Sequence, residues 1–370
     1  MKRALALLLL TTPLAAQVPS PGGFGTTVRA GTIFESYSFG SGLAFDSISR
    51  ISEITTPIIV SHRFGPRLNV DLATAFARAT MHTTDGRDVS ASGLTDTDVR
   101  ATFAVVPGRL LLTVVGTLPT GRQTVPDSTL ALFGALATDL LDFTTPNFGS
   151  GGAVTAGFAT AAKWGGSWAV GGGASYRYNA GFTPFSGSGE LKPGSEGRAR
   201  LGVEGPLPGG KYLRAALMYT LNQHDELSGS DASITGDRVL LYSSVSMPLG
   251  RSSFSLYGFD MLRLSPRSVS TTYAVPRGNV LALGARLERP LSPRATLVHA
   301  LEFRHELNDQ GAGMALLGFL VRPGLDLRYR LSGPMSFVLQ GQCAVGQLEN
   351  DGTKVSLLSP RLSAVLEWTR

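Results

Sequence analysis

Residues 281–307 read LALGARLERPLSPRATLVHALEFRHEL, and their alternation decides the fold. In the first half Leu281, Leu283, Ala285 and Leu287 share one parity, while Arg286 and Glu288 share the other. After a compact Pro290–Pro293 turn the pattern resumes: Leu301, Phe303 and Leu307 oppose Glu302, Arg304 and Glu306. A one-residue step turns a side chain to the other face of a strand, so this is a hairpin with one apolar and one charged face. The same rhythm runs from about Thr27 to the C-terminus. Leu68, Val70, Leu72 and Phe76 alternate with Asn69 and Asp71, and Val99, Ala101 and Phe103 with Asp98 and Arg100. Near the end, Phe319, Val321, Leu325 and Leu327 alternate with Arg322, Asp326 and Arg328.

The connections alternate too. Compact Gly/Pro turns fall at 65–67, 107–109, 165–167, 206–210, 250–252, 290–293 and 332–334. Gly and Pro supply the backbone angles of tight reversals. Between them lie longer polar stretches at 82–93, 122–150, 181–196, 222–236 and 265–278, and shorter ones near 40–47, 308–313 and 347–354. Dyad strands joined by alternating short and long connections describe an all-β, transmembrane, antiparallel up-and-down β-barrel. The count is about sixteen strands, with fourteen as the smaller alternative, short periplasmic turns and longer extracellular loops. Phe64, Trp164, Trp168, Tyr212, Phe254 and Phe337 flank the short turns, which suits a periplasmic aromatic girdle.

Met1-Lys2-Arg3, an apolar run from Ala4 to Leu10 and small residues at Ala15-Ala16 have the form of a secretory signal over residues 1–16, cut after Ala16 or Ala15. That run is too short for a membrane helix, which needs roughly 20 apolar residues. Residues 17–370 are then one outer-membrane barrel domain. Without Lys2 and Arg3 the formal charge falls from +6 to +4, a scattered excess with no basic run that would mark nucleic acid as a partner. Cys343, the single cysteine, lies on the apolar parity and reads as a small hydrophobe.

One segment breaks the strand rhythm. Asp127 or Ser128 could cap a helix over 127–142, with Leu130, Phe133, Leu136, Leu140 and Leu141 at three-to-four spacing. Inside a long extracellular loop, such a helix could form a lid, and Leu130, Phe133, Leu136 and Leu140 could contact solute. On the polar parity, Asp71, Asp98, Arg100, Arg177, Arg200, Arg214, Arg286, Glu288, Glu302, Arg304, Glu306 and Arg328 are the candidate lumen-lining residues. Arg198, Arg238, Arg263, Arg322, Arg330, Asp96, Glu204, Asp260 and Asp326 are read with them. Arg286, Glu288, Glu302, Arg304 and Glu306 form the expected paired network. His62, His82, His224, His299 and His305 show no metal spacing, so no metal, cofactor or catalytic residue is expected. A Ser-His-Asp set around His82 or His224, with Asp85 or Asp225 nearby, is the one enzymatic alternative weighed.

Ser92-Gly93-Leu94-Thr95-Asp96, a hairpin, and the exit Leu118-Pro119-Thr120-Gly121 resemble a family of bacterial outer-membrane barrels, the transporters of the meta-pathway of phenol degradation, distant relatives of the fatty-acid and toluene channels. Phe148-Gly149-Ser150-Gly151 extends the likeness, which covers about residues 31–182. Thr95 stands where that family usually has Gly, and the chain ends Trp368-Thr369-Arg370 where many such barrels end on an aromatic residue. Only about ten residues separate the expected cleavage site from the first strand, too few for the N-terminal hatch of the fatty-acid channels. The resemblance implies passive uptake of small hydrophobic or aromatic solutes across the outer membrane. A general porin for polar solutes and a structural or surface-interaction barrel with a closed lumen are the alternatives. The partners expected are outer-membrane lipid and lipopolysaccharide, the barrel-assembly machinery and a small-molecule solute.

Overall fold

The computed structural model describes residues 25–40, 48–266, 275–309, 314–350 and 353–370; the expected signal at 1–16 and parts of four expected loops lie outside them. Its strands begin with β1 (Gly25–Phe39), β2 (Ile48–Phe64), β3 (Leu68–Thr83), β4 (Asp88–Leu94), β5 (Thr97–Val106), β6 (Leu110–Leu118), β7 (Ala153–Trp164) and β8 (Trp168–Asn179). They continue with β9 (Leu191–Lys192), β10 (Glu196–Leu207), β11 (Lys211–Asn222), β12 (Glu226–Leu227), β13 (Ser230–Asp231), β14 (Arg238–Leu249) and β15 (Ser252–Arg263). The last five are β16 (Gly278–Ser292), β17 (Ala295–Asp309), β18 (Met314–Ser332), β19 (Met335–Asn350) and β20 (Thr353–Thr369).

All neighbours pair antiparallel, and β1 pairs with β20 from Thr27↔Thr369 to Phe39↔Leu357, which closes the ring. β4 and β5 both lie on β3 and are two halves of one stave, broken at Thr95-Asp96. β9, β12 and β13 make a separate small sheet, so the barrel has sixteen staves. Closure leaves no free edge around the wall, which is how strands can cross lipid at all. The turn between β7 and β8 shows the local chemistry: Gly165 and Gly166 both take positive φ, 54° and 73°, a geometry that a side chain would oppose.

The outer face is apolar and uncovered. Phe64, Val114, Val154, Leu201, Leu241, Leu283 and Leu362 are each at least half exposed, on staves all around the ring. A continuous belt of this kind far exceeds the apolar patches that soluble proteins show to water, and lipid is its natural solvent. Cys343 is exposed on this face, in register with Pro360. The wall is uneven in height. β1–β3 and β16–β20 are 15–19 residues long, whereas β6–β8, β10, β11, β14 and β15 have 9–12.

The buried apolar core lies inside the ring. Residues 122–150, between β6 and β7, fold into the lumen against the tall side. Leu132, Phe133, Leu136, Leu140, Leu141, Phe143 and Phe148 bury themselves among inward Tyr37, Ile51, Met81, Leu320, Leu348 and Leu357. Alanines at 77, 79, 91 and 344 give the wall the hollow that receives them.

Four expectations need correction. The helix is a 3₁₀ turn at Asp127–Thr129 followed by α1 (Leu130–Leu136), not a helix over 127–142. No side chain caps it, and Gly134 lies within it. Beyond Ala137 the wall arginines bind the loop's carbonyls, so the chain stays irregular and Asp142 adopts φ 58°. The stretch 82–93 is mostly strand, because β3 and β4 continue above the lipid belt and leave only 84–87 as turn. Asp260 has the outward parity of Leu256 and meets Asn279 Nδ2 at 2.5 Å, so it does not line the lumen. Tyr212 faces inward beneath Arg214, whose guanidinium carbon lies 5.4 Å from its ring centre, and so leaves the aromatic girdle.

Candidate functional site

The lumen wall has a seam that holds the loop on its tall side and a differently built face on its short side. The twelve candidate lumen residues all carry the inward parity, as registers such as Asp71↔Arg100, Glu204↔Arg214 and Glu302↔Arg322 require. They serve different partners. Asp71 accepts from Ser61 Oγ (2.6 Å) and Asn69 Nδ2 (2.7 Å), and Asp98 from Thr117 Oγ1 (2.6 Å). Arg286 pairs with Asp326 at 3.0 Å and Arg328 with Glu288 at 3.5 Å, both within the wall. The expected five-residue network is therefore split: only Glu302 and Arg304 pair with each other, at 3.1 Å.

Those two, with Glu306, belong to the seam. Arg304, fully buried, binds Asp142 at 2.9 Å and donates to the Asp139 carbonyl at 3.2 Å. Arg263 on β15 holds the Asp139 carboxylate at 2.7 Å, and its other nitrogen lies 3.7 Å from Glu306. Arg322 bridges Glu302 (3.3 Å) and Asp142 (3.7 Å), and with Tyr37 Oη it donates to the Leu141 carbonyl. Two wall carboxylates grip main-chain amides: Glu35 accepts from Thr144 N (2.7 Å) and Glu53 from Thr145 N (2.9 Å). Arg361 completes the seam, 2.9 Å from Glu35 and 3.3 Å from Thr144 Oγ1. Buried charges this densely crossed tolerate no sliding, because each displaced partner leaves an unpaired ion in a dry space.

The loop's two ends meet at one side chain. Asp96, at the break between β4 and β5, accepts from Gly121 N (3.1 Å) with one oxygen and from Ser150 N (2.6 Å) and Oγ (3.2 Å) with the other. Gly121 runs so close to the Phe148 carbonyl and the Asp96 amide that a Cβ there has no room. This accounts for the glycine that closes the Leu-Pro-Thr-Gly exit. Further along, Val125 forms a parallel bridge with Phe185, and Asp127 accepts from Gly187 N at 3.0 Å. Asp127 thus ties the loop to its extracellular neighbour and caps nothing.

Of the expected lid contacts, Phe133, Leu136 and Leu140 face the wall and are buried, while Leu130 is exposed. The opposite wall is built differently. Inward positions on β7 and β8 are Thr155, Gly157, Ala159 and Ala161, then Gly171, Gly173 and Ser175. Above and beside these small residues stand Arg177, Arg198, Arg200 and Arg214. Arg177 donates to Asn179 (2.9 Å), Arg198 pairs with Glu196 (2.5 Å) and Arg214 with Glu204 (3.1 Å); Arg200 is exposed. Small side chains and long cations thus share the inward parity of this wall.

Sequence reading missed Glu35, Glu53, Tyr37, Asp139, Asp142 and Arg361. The signal was present in Asp139 and Asp142, two acids set into an apolar run that ends at Phe143. Neither histidine of the weighed Ser-His-Asp set meets the acid expected for it: His82 Nδ1 meets Asp88 at 2.6 Å, and His224 meets Asp231. His224 Nδ1 meets both Ser233 Oγ (2.6 Å) and Asp231 Oδ2 (3.2 Å), whereas a triad needs the acid and the nucleophile on different ring nitrogens. Asp225 instead accepts from the amides of Gly194, Ile234 and Thr235.

No family model matches the chain, and no curated protein matches it. Among solved structures it is similar to one described as a bacterial polysaccharide outer membrane secretin, with TM-score 0.49, 10% identity, and 92% of this chain and 97% of that one covered. It is similar to OccK7 (OpdD) of Pseudomonas aeruginosa with TM-score 0.48, 12% identity and coverages of 94% and 98%. OccK1 (OpdK) of the same organism gives 0.46, 12%, 93% and 99%. The resemblance to phenol-degradation transporters finds no support among these. The ring closure and the apolar belt define the class: a sixteen-stranded antiparallel barrel of the outer-membrane kind.

Proposed function

We propose that this protein is a passive channel for small solutes in the bacterial outer membrane, and that its own loop, residues 122–150, closes the outer half of the lumen. The observation that carries this reading is the seam. A lumen meant to stay filled is as stable, or more so, with apolar side chains throughout, since buried ion pairs contribute little net stability. Here the loop meets the wall through Asp139 and Asp142 on Arg263, Arg304 and Arg322. Such contacts specify one docked position sharply and are exchanged for water when the loop leaves. A seam of this kind suits a part that departs and returns.

In this reading the belt faces outer-membrane lipid and lipopolysaccharide, the barrel-assembly machinery inserts the chain, and the partner in the lumen is a small solute. Hydrophobic or aromatic solutes remain the first substrate class. The apolar stripe of the loop becomes available to them only on undocking, because Phe133, Leu136 and Leu140 are covered in the docked state. A general pore for polar solutes is the second reading, favoured by Arg177, Arg198, Arg200 and Arg214 along the short wall. Swelling of liposomes holding the refolded protein separates the two. Faster swelling in small aromatic solutes than in sugars of equal size is expected; equal rates ordered by size alone would favour the general pore.

A further inference from the structure

Counted over the described residues, the seam between loop and wall holds more carboxylates than guanidiniums. Among the described residues, six carboxylates meet there: Glu35, Glu53, Glu302 and Glu306 from the wall, Asp139 and Asp142 from the loop. Only four guanidiniums face them, those of Arg263, Arg304, Arg322 and Arg361. The nearby Arg286 is matched by Asp326.

The excess has two locations. Glu35 and Glu53 are direct cross-strand partners, both nearly inaccessible, and a single arginine, Arg361, lies at 2.9 Å from the pair. Directly opposed side chains sit about 5 Å apart, where two buried like charges repel strongly. Thr55 and Thr145 occupy Glu53 Oε1, while Glu53 Oε2 is buried with no hydrogen-bond partner. The second location is Glu306, beside Asp139, with Arg263 shared between them and Asn308 adjacent. Glu306 Oε2 is likewise buried with no partner. Glu53 and Glu306 each lie about twelve residues up from the periplasmic end of their strands, at the outer edge of a membrane span of roughly 9–11 residues.

We propose that the docked loop is held by two protons, one on the Glu35–Glu53 pair and one on the Glu306–Asp139 pair, and that the loss of these protons to the external medium releases the loop. This rests on the reading of residues 122–150 as the closing element. A proton at each pair removes one of the opposed charges and gives the bare oxygen a hydrogen, while Glu53 Oε1 keeps the Thr145 amide. With both protons gone, two like-charged pairs oppose each other in a space closed to water, and Thr144 and Thr145 are held by a wall that now repels itself. The remaining groups facing the first pair are Tyr37, Arg322, Asp142, Thr55 and Thr144. None of them adds a second cation beside Glu53.

The test is limited proteolysis of loop 122–150 in the refolded full-length chain, from about pH 5 to about pH 9. The double variant Glu53→Gln, Glu306→Gln is treated in parallel. Glutamine keeps a carbonyl to accept the Thr145 amide and adds the hydrogens of a protonated acid. In the native chain, cutting normalised to the protease's own activity should rise about tenfold per pH unit for each proton released. The double variant should stay protected throughout. Equal pH profiles in the two chains, or a flat profile in the native one, would overturn the proposal. Cutting governed by calcium or a chelator at fixed pH would also overturn it, in favour of a cation held by the carboxylates. Proteolysis reads docking and not conductance, so a failure of the channel reading would show separately.

Discussion

Asp142→Asn isolates the charge in the contact that most directly holds the loop. Asp142 lies 2.9 Å from Arg304 and 3.7 Å from Arg322, both almost wholly buried. Its backbone sits at φ 58°, a conformation that asparagine accepts at least as well as aspartate, so the substitution adds no strain. Removing one partner of a buried pair costs about 3–5 kcal/mol. Both arginines keep Glu302, and the Asp142 side chain retains 12% exposure, so about 2–3 kcal/mol is the better figure. The cost falls on the docked state alone, since a released loop has its aspartate in water. At about 1.4 kcal/mol per factor of ten, the open-to-docked ratio rises about a hundredfold. Opening frequency in planar-bilayer recordings measures it, with Asp127→Asn as the control on the same loop. Asp127 is exposed and accepts from the Gly187 amide, so that variant should change the frequency by no more than about threefold. A D142N channel that opens as rarely as the native one would refute the reasoning.

Other expectations follow from the same geometry. Leu140→Ala leaves a cavity in the cluster between loop and wall and should cost docking about 2–5 kcal/mol, read as more frequent openings with no change in conductance per opening. Leu301→Arg puts a charge on the lipid face near the middle of the span, a change worth about 2–4 kcal/mol against folding in bilayers, measured by urea titration in lipid vesicles. Arg200→Gln with Arg214→Gln should move the reversal potential of the open channel in a salt gradient toward cation preference, because both carry the inward parity of the short wall. Cys343 should react with an apolar maleimide dissolved in lipid and resist a charged one added from either side.

The barrel was legible because its pattern is repeated and redundant. Leu281 to Leu287 and Leu301 to Leu307 state the same rule, and every further hairpin restates it. A single misread residue, such as Asp260, cannot shift a register that Leu256 and Leu262 also fix. Tyr212 was misassigned for a related reason: a place beside a turn says nothing of parity, whereas its neighbour Arg214 does. The loop was only half legible. Three-to-four spacing correctly marked an apolar segment, but helix length depends on what the backbone meets. Past Ala137 it meets Arg304, Arg322 and Tyr37, whose donors take the Asp139 and Leu141 carbonyls. Glu35 and Glu53 were illegible as grips, because their partners are backbone amides more than ninety residues away.

The central claim is that residues 122–150 close a lumen that is otherwise open to solutes. Single-channel conductance of the full-length chain, compared with a variant lacking residues 126–143, tests it most directly. Rare or no openings in the full-length protein, and large steady ohmic steps in the shortened one, are the predicted result. Equal conductance from both, with insertion verified for each, would contradict the account.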